Sequence, residues 1–197
     1  MAKRLFDLFW AAIGLIMLSP LFAAAAVWIK CDSSGPVFFR QLRVGRYGRP
    51  FRIHKFRTMT QGAAAGGQLT VGKDTRITRS GVVLRKYKLD ELPQLIDVLL
   101  GHMSLVGPRP EVQEFMDSYP PEIREKVLSV RPGITDRASI HMVDENELLA
   151  SYPDPHNAYV EVILPIKQRY YLEYVARHDL LTDIGIIMLT LKKILIR

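Results

Sequence analysis

Two adjacent carboxylates, Asp90 and Glu91, are the residues of this sequence whose types and spacing best suit catalysis. They precede Pro93 and an apolar helical pattern that ends before Gly101. We therefore expect them at a helix N-terminus, where the dipole and free amides favour anions. One carboxylate could attack phosphorus to form an acyl phosphate while the other binds a divalent metal ion. Simple helix capping is the alternative interpretation, and the pair taken alone favours it.

Basic residues elsewhere in the sequence could bind the phosphates of a substrate. Lys55, Arg57, Arg85, Lys86 and Lys88 supply the cations that a diphosphate requires. Each of them alone is also typical of a solvated surface. They are therefore candidates for substrate binding only in combination with the carboxylates.

The segment Pro108, Arg109 and Pro110 is a second candidate for substrate binding. Two prolines restrict the backbone and hence the directions in which the arginine can point. Such a segment could hold a guanidinium against a phosphate or a base, or it could be a rigid surface turn. The five histidines include no pair at the spacing of a zinc-binding helix, so we assign them no metal.

The composition indicates one domain with an anionic partner. The chain has 197 residues and a net charge of +7, which favours phosphorylated substrates, lipid headgroups or nucleic acid. No nucleic-acid recognition motif is present, so we predict no nucleic-acid partner. A peripheral anchor that binds anionic lipid without catalysis is an alternative. The single cysteine, Cys31, excludes an intramolecular disulfide.

Residues 8–29 form an uncharged segment that would extend about 33 Å as a helix, which matches a hydrocarbon core. The run is too long for a cleaved signal peptide. Basic residues precede it at Lys3 and Arg4 and follow it from Lys30 onward, which favours a cytoplasmic location for both flanks. A re-entrant helix that breaks at Ser19 and Pro20 satisfies this pattern, and a spanning helix with an internal proline is equally compatible with the residues.

The remaining sequence predicts a mainly α-helical domain with a small β-hairpin. Residues 35–39 and 51–56 read as strands joined by a basic turn, and residues 94–100, 120–130 and 144–150 read as helices. Apolar residues recur at helical spacing over residues 180–195, which predicts an amphipathic helix that packs on the core or lies at a membrane interface. Residues 61–67 read as a mobile loop that could close over a substrate.

Several ordered motifs resemble those of the monotopic polyprenyl-phosphate phosphoglycosyl transferases, also called bacterial sugar transferases. The strongest is Leu84 and Arg85 followed by Leu89, Asp90, Glu91, Leu92, Pro93 and Gln94. The others span residues 3–7, 19–20, 35–39, 55–59, 104–111 and 131–135. Together they cover nearly the whole chain.

The resemblance implies a membrane topology and a division of the chain. Residues 1–30 would form a re-entrant helix broken at Ser19 and Pro20, with both termini in the cytoplasm. Residues 31–197 would form a compact catalytic domain on the cytoplasmic face of the bacterial inner membrane, with interfacial amphipathic helices. Membrane lipids would then be partners, and a homodimer is compatible with this arrangement.

The resemblance also implies a reaction. Asp90 would attack the β-phosphate of a UDP-sugar and release UMP, and polyprenyl phosphate would then accept the sugar phosphate. Glu91 would help to bind Mg²⁺, Lys55 and Arg85 would lie near the phosphates, and Pro108, Arg109 and Pro110 would match the nucleotide-binding motif. The alternative within enzymes is a glycosyl transferase that moves the sugar without its phosphate and releases UDP.

The sequence departs from the family pattern at Arg137. A related branch has tryptophan at this position, and the Gly-Trp-Ala-Gln and Asn-Gly-Arg elements of many members are absent here. The resemblance therefore leaves the sugar open among N-acetylated hexosamines, deoxy-amino sugars, galactose and glucose.

Overall fold

The computed structural model describes residues 1–63, 67, 69–72, 74–142 and 144–196, and it is mostly helical, as predicted. The helices are α1 (Ala2–Asp32), α2 (Arg79–Lys86), α3 (Gln94–Leu99), α4 (Gln113–Asp117), α5 (Pro121–Leu128), α6 (Arg137–His141), α7 (Glu145–Ala150), α8 (Pro155–Ala158), α9 (Leu164–Ala176) and α10 (Leu180–Leu195). The strands are β1 (Phe38–Phe39), β2 (Leu42–Val44), β3 (Pro50–Arg52), β4 (Lys55–Phe56), β5 (Ser104–Val106) and β6 (Gly133–Thr135). Residues 64–66 of the predicted loop lie outside the described residues.

Helix α1 is long and apolar enough to cross a membrane. The helix continues across Ser19 and Pro20. The prediction that it divides into two helices at these residues is therefore wrong. Pro20 has no N–H to donate to the Ile16 carbonyl, and the Ser19 hydroxyl donates to that carbonyl instead, at 2.8 Å. The side-chain hydrogen bond replaces the missing backbone one, so the Ile16 carbonyl stays bonded within the helix. The re-entrant topology itself stays a prediction.

The predicted β-hairpin is confirmed and consists of two antiparallel pairs. Strand β2 pairs with β3, and β1 pairs with β4 beyond them. The connecting turn contains a short 3₁₀ segment, Arg46–Gly48, in which Tyr47 has a left-handed backbone. The outer pair places Lys55 opposite Phe39, and Lys55 thereby enters the interior of the domain.

A parallel pair, β5 with β6, was not predicted, because residues 131–133 were interpreted as a turn. The two backbones approach most closely at Gly107 and Gly133. A Cβ atom on Gly107 would lie 2.4 Å from the Arg131 carbonyl oxygen, and one on Gly133 would lie 2.1 Å from the Gly107 nitrogen. Both positions therefore require glycine. The crossing also lets the Gly133 N–H donate to the Pro108 carbonyl at 2.9 Å.

The amphipathic α10 was predicted and is confirmed. Its residues Asp183 and Ile186 are buried, whereas Leu181, Met188 and Leu195 are exposed. Lys3 of α1 reaches it and donates to Asp183 at 2.5 Å and to the Val106 carbonyl at 3.2 Å. One face of α10 thus packs on the domain and on α1 while the other presents apolar side chains outward.

Helix α3 ends as predicted, with Gly101 at a φ of +87°. Leu99 and Leu100 of its apolar helical pattern are exposed. The buried side combines Leu95 and Val98 with Gln94 and with Asp97, which accepts from the His54 N–H at 2.8 Å. The largest core cluster lies between α4, α5 and α7 to α9.

Candidate active site

Asp90 and Glu91 lie in a 3₁₀ turn, Leu89–Glu91, one step before α3. Lys88 precedes this turn with a φ of 56°, a left-handed conformation that is uncommon for a residue with a side chain. Within the described chain, no side chain caps the N-terminus of α3, which disfavours the capping interpretation. Strained backbone conformations of this kind often occur in functional segments. Here the segment that follows Lys88 carries both carboxylates into the domain.

Glu91 is held by two cations. Arg109 donates through both terminal nitrogens, one to Oε1 and the other to Oε2 at 3.2 Å. Lys55 donates to Oε1 at 2.9 Å. Burial opposes the charge of Glu91, but Arg109 and Lys55 outweigh burial and hold its pKa well below the usual range. Glu91 is therefore an ionised, fixed carboxylate.

Asp90 has a different environment, although it is also only 9% exposed. Among the residues that the structure describes, no group donates a hydrogen bond to its buried Oδ1. Burial and the neighbouring charge of Glu91 raise its pKa, while Lys55, Lys88 and Arg85 partly offset that rise. A buried carboxylate oxygen without a donor is costly unless a ligand or ion meets it, so Asp90 Oδ1 is suited to contact one.

Two of the predicted phosphate-binding cations lie beside these carboxylates. Burial lowers the pKa of Lys55 to about 8, with Glu91 opposing the shift. Arg85, in the last turn of α2, donates to Thr58 at 2.9 Å and to Thr70 at 3.1 Å. Burial lowers its pKa as well, while Asp90 opposes that shift.

The segment Pro108, Arg109 and Pro110 is fixed on both sides. Pro108 accepts from Gly133, and Pro110 accepts at 3.0 Å from the buried guanidinium of Arg43. The position of Arg109 thus depends on the β5–β6 crossing and on the hairpin. Its pairing with Glu91 raises its pKa well above the usual range.

Arg57 lines the polar cavity described below but is bonded to backbone carbonyls, so its predicted role in substrate binding stays a prediction. Its guanidinium donates to the carbonyls of Ile29, Ser33 and Ser34, at 3.4, 2.7 and 2.6 Å. These carbonyls lie at the C-terminal end of α1, where the helix leaves acceptors without internal donors. Arg57 therefore joins α1 to the strand that carries Lys55.

Two cavities meet at the carboxylates. The polar cavity, of about 790 Å³, is lined by Lys55, Arg85, Asp90, Glu111, Tyr159 and Lys167 among others. The apolar cavity, of about 580 Å³, lies between the start of α1, β6 and α10, with Trp10, Leu95, Ile134, Ile187 and Leu191 in its walls. Both cavities are lined by Lys88, Glu91, Arg109 and Ser139. The 3₁₀ turn and Arg109 thus form a wall common to two chemically different spaces.

Sequence reasoning missed several polar residues of the polar cavity. Arg43 was counted only among the basic residues that follow the apolar segment, yet its side chain is half-buried and desolvation lowers its pKa. Tyr159 and Lys167 belong to a segment whose pattern is simply helical. Their proximity could have been found only through the change in helix geometry described below.

A divalent cation fits this site in its donor chemistry. The described residues contain no cluster of three or more metal-ligating side chains. Mg²⁺, however, commonly uses one or two carboxylates together with substrate phosphates and water. Asp90 Oδ1, which has no protein donor among the described residues, and the adjacent Glu91 are the oxygens that fit such an ion.

Comparison with known proteins identifies the family of this chain. The family model "Bacterial sugar transferase" matches residues 1–197. The chain is 48% identical over 141 residues to the "UDP-N-acetylgalactosamine-undecaprenyl-phosphate N-acetylgalactosaminephosphotransferase" of Aeromonas hydrophila, covering 70% of this chain and 33% of that protein.

Two "UDP-glucose:undecaprenyl-phosphate glucose-1-phosphate transferases" are also similar. The one from Xanthomonas campestris pv. campestris is 41% identical over 200 residues, covering 98% of this chain and 39% of that protein. The one from Escherichia coli (strain K12) is 36% identical over 196 residues, covering 97% of this chain and 39% of that protein. The chain thus spans well under half the length of these relatives. It belongs to the bacterial sugar transferase family.

Proposed function

We propose that this chain transfers a sugar 1-phosphate from a UDP-sugar to undecaprenyl or another polyprenyl phosphate, with Asp90 as the nucleophile. The observation that carries the proposal is the buried Asp90 carboxylate, whose Oδ1 accepts no hydrogen bond from the described residues in a cavity rich in cations. The names of three relatives describe this class of reaction with two different sugars.

The proposed reaction has two displacements at phosphorus. Asp90 attacks the β-phosphorus of the UDP-sugar, the bond from that phosphorus to the bridging oxygen breaks, and UMP leaves. An oxygen of polyprenyl phosphate then attacks the same phosphorus, the aspartyl–phosphorus bond breaks, and the carboxylate of Asp90 is restored. Each displacement exchanges one high-energy phosphate bond for another, so no further energy input is needed.

The charged residues around Asp90 suit this chemistry. Lys55, Arg85 and Lys88 can compensate for the negative charge of a diphosphate as it approaches a carboxylate. Arg109 keeps Glu91 ionised and fixed, so that only Asp90 is available to attack. A bound Mg²⁺, held by Glu91 and Asp90 together with the substrate phosphates, would neutralise charge on those phosphates.

The two cavities match the two proposed substrates. A nucleotide sugar is polar and suits the polar cavity, whereas a polyprenyl chain is a hydrocarbon and suits the apolar one. The apolar cavity is bounded by α1 and α10, the helices with the largest exposed apolar surfaces. We therefore propose that both helices meet the membrane, with the domain on its cytoplasmic face and α1 re-entrant. A homodimer is also part of the proposal.

The decisive experiment compares nucleotides released by the detergent-solubilised chain with Mg²⁺, undecaprenyl phosphate and a panel of UDP-sugars. We expect UMP from the parent and from Asp117→Asn, whose carboxylate is exposed, but none above background from Asp90→Asn. UDP in place of UMP would indicate glycosyl transfer. Undiminished UMP from Asp90→Asn would exclude Asp90 as the nucleophile, and no release from any sugar would favour the non-catalytic anchor.

A further inference from the structure

A π-helical segment, Tyr159–Ile163, separates α8 from α9. Segments of this kind are rare and often lie at functional sites. In a regular α-helix, positions eight apart differ by about 80° around the axis, whereas an insertion that absorbs one residue reduces the difference to about 20°. The π-helical segment thereby brings Tyr159 and Lys167 to the same face of the helix.

That face lines the polar cavity, and its buried Lys167 pairs with the partly exposed Glu145 of α7. Lys167 is 5% exposed, and its ammonium donates to Glu145 at 3.0 Å and to the Tyr159 hydroxyl at 3.0 Å. The Tyr159 hydroxyl in turn donates to Glu111 at 3.0 Å. We call Glu145, Tyr159 and Lys167 the distal wall, because they come from α7 to α9 rather than from the turn that bears Asp90.

The distal wall retains capacity to bind a ligand. The Glu145 side chain is 24% exposed, and a carboxylate has about four acceptor positions, of which Lys167 uses only part. Burying an ion pair seldom stabilises a fold relative to apolar packing, so its presence beside a cavity needs another explanation. An adjacent carboxylate and ammonium can accept from and donate to neighbouring hydroxyl groups of a sugar ring.

The same cavity is also lined by side chains of a different chemistry. Phe38 and Phe39 of β1 are exposed there and offer aromatic faces that suit a planar base. A UDP-sugar has such a base at one end and a ring of hydroxyl groups at the other. The aromatic lining therefore suits the base near β1, and the charged lining suits the sugar near α7 to α9.

We propose that Glu145, Tyr159 and Lys167 contact the sugar of the donor and determine which sugar is accepted. This inference rests on the proposed function, because it takes a UDP-sugar as the ligand. It assigns sugar selection to residues that are separate from the carboxylates and cations around phosphorus. Relatives that use different sugars can then share the same reactive turn.

The test measures binding by calorimetry in the full-length chain with Asp90→Asn, which prevents turnover. The ligands are UDP, UDP-N-acetylgalactosamine, UDP-galactose, UDP-N-acetylglucosamine and UDP-glucose. Glu145→Gln, Tyr159→Phe and Lys167→Met are added singly. Glu147→Gln is the matched control, because this glutamate is exposed on the same helix as Glu145. The useful quantity is the Kd for UDP divided by the Kd for each UDP-sugar.

We expect Glu145→Gln to lower this ratio by about tenfold or more for the preferred sugar, as loss of a charged hydrogen bond would, with UDP binding and the Glu147→Gln control unchanged. An unchanged ratio, or a ratio near one before substitution, would overturn the inference. Equal weakening of UDP would also overturn it and place the base at the distal wall. If Glu145→Gln fails to fold, the same ratio of Kd values is measured for Tyr159→Phe and decides the inference. UMP release by the parent tests the proposed function separately.

Discussion

Asp90 and Glu91 are adjacent in the chain, yet the pKa of Asp90 is raised while that of Glu91 is held well below its usual range. The difference arises because Arg109 and Lys55 bond to Glu91, whereas no described residue donates to Asp90 Oδ1. Two carboxylates whose pKa values are driven apart commonly have different roles in a reaction. Each of the following predictions tests one part of this arrangement.

Asp90→Asn should raise the stability of the chain at neutral pH while abolishing transfer. The folded-state pKa of Asp90 is raised, so its ionisation disfavours the fold above the ordinary carboxyl pKa of about 4. The gain in melting temperature should therefore be largest at pH 7.5 and shrink as the pH falls toward 4. A lower melting temperature than the parent at pH 7.5 would contradict the assigned environment of Asp90.

The transfer reaction should become less efficient at alkaline pH because Lys55 loses its proton. Its pKa is about 8, so kcat/KM for the UDP-sugar should fall above that pH. Lys55→Arg keeps a cation at higher pH, and the alkaline decline should move upward in this variant even if its maximum is lower. A pH profile with the same alkaline limb in both proteins would show that Lys55 does not control it.

Arg109→Lys should lower kcat/KM by roughly 10- to 100-fold, because lysine keeps the charge but lacks the planar pair of nitrogens that bond to the two oxygens of Glu91. Steady-state UMP release at fixed Mg²⁺ measures the effect. Arg137→Lys is the control, since Arg137 is exposed. Equal activities of Arg109→Lys and the parent would indicate that only charge matters at this position.

Arg57→Gln should destabilise the chain without changing the KM for the UDP-sugar. The guanidinium bonds to carbonyls at the end of α1, and leaving such acceptors without a donor costs about 1–3 kcal/mol each. Thermal unfolding in detergent should show the loss, and Arg49→Gln, at an exposed position, should not. A large rise in KM with unchanged stability would restore the substrate-binding role for Arg57.

A re-entrant α1 should leave both of its flanks on the cytoplasmic side of the membrane. Single cysteines at positions 2 and 40, in a Cys31→Ser background, can be labelled with a membrane-impermeant maleimide. We expect both to react in inverted vesicles and neither in intact spheroplasts. Labelling of the two positions from opposite sides would show a spanning helix.

The sequence predicted elements whose signals are local. The hairpin follows from alternating residues around a basic turn, and α10 follows from the helical spacing of Leu180 and Ile187. Asp90 and Glu91 were found because their motif is contiguous. These features need no knowledge of distant contacts, which is why residue types and spacing were sufficient.

The parts that were missed depend on contacts between distant residues. Gly107 and Gly133 show no joint signal in the sequence, because each alone is compatible with an ordinary turn. In the sequence, Arg57 cannot be distinguished from a phosphate-binding arginine. Only its neighbours in the structure reveal that it caps α1. The π-helical segment at Tyr159 was also not predicted, although Pro165, which cannot donate to the Glu161 carbonyl, is a local signal that could have indicated it.

The bond between Lys3 and Asp183 has a consequence for biosynthesis. The two residues are 180 positions apart, so at about 5–20 residues per second the ribosome needs roughly 9–36 s after making Lys3 to produce its partner. During that interval α1 must find stability elsewhere, and lipid can provide it. Attachment to the membrane would then precede closure of the domain, and a nascent chain that stops before α10 should already sediment with membranes.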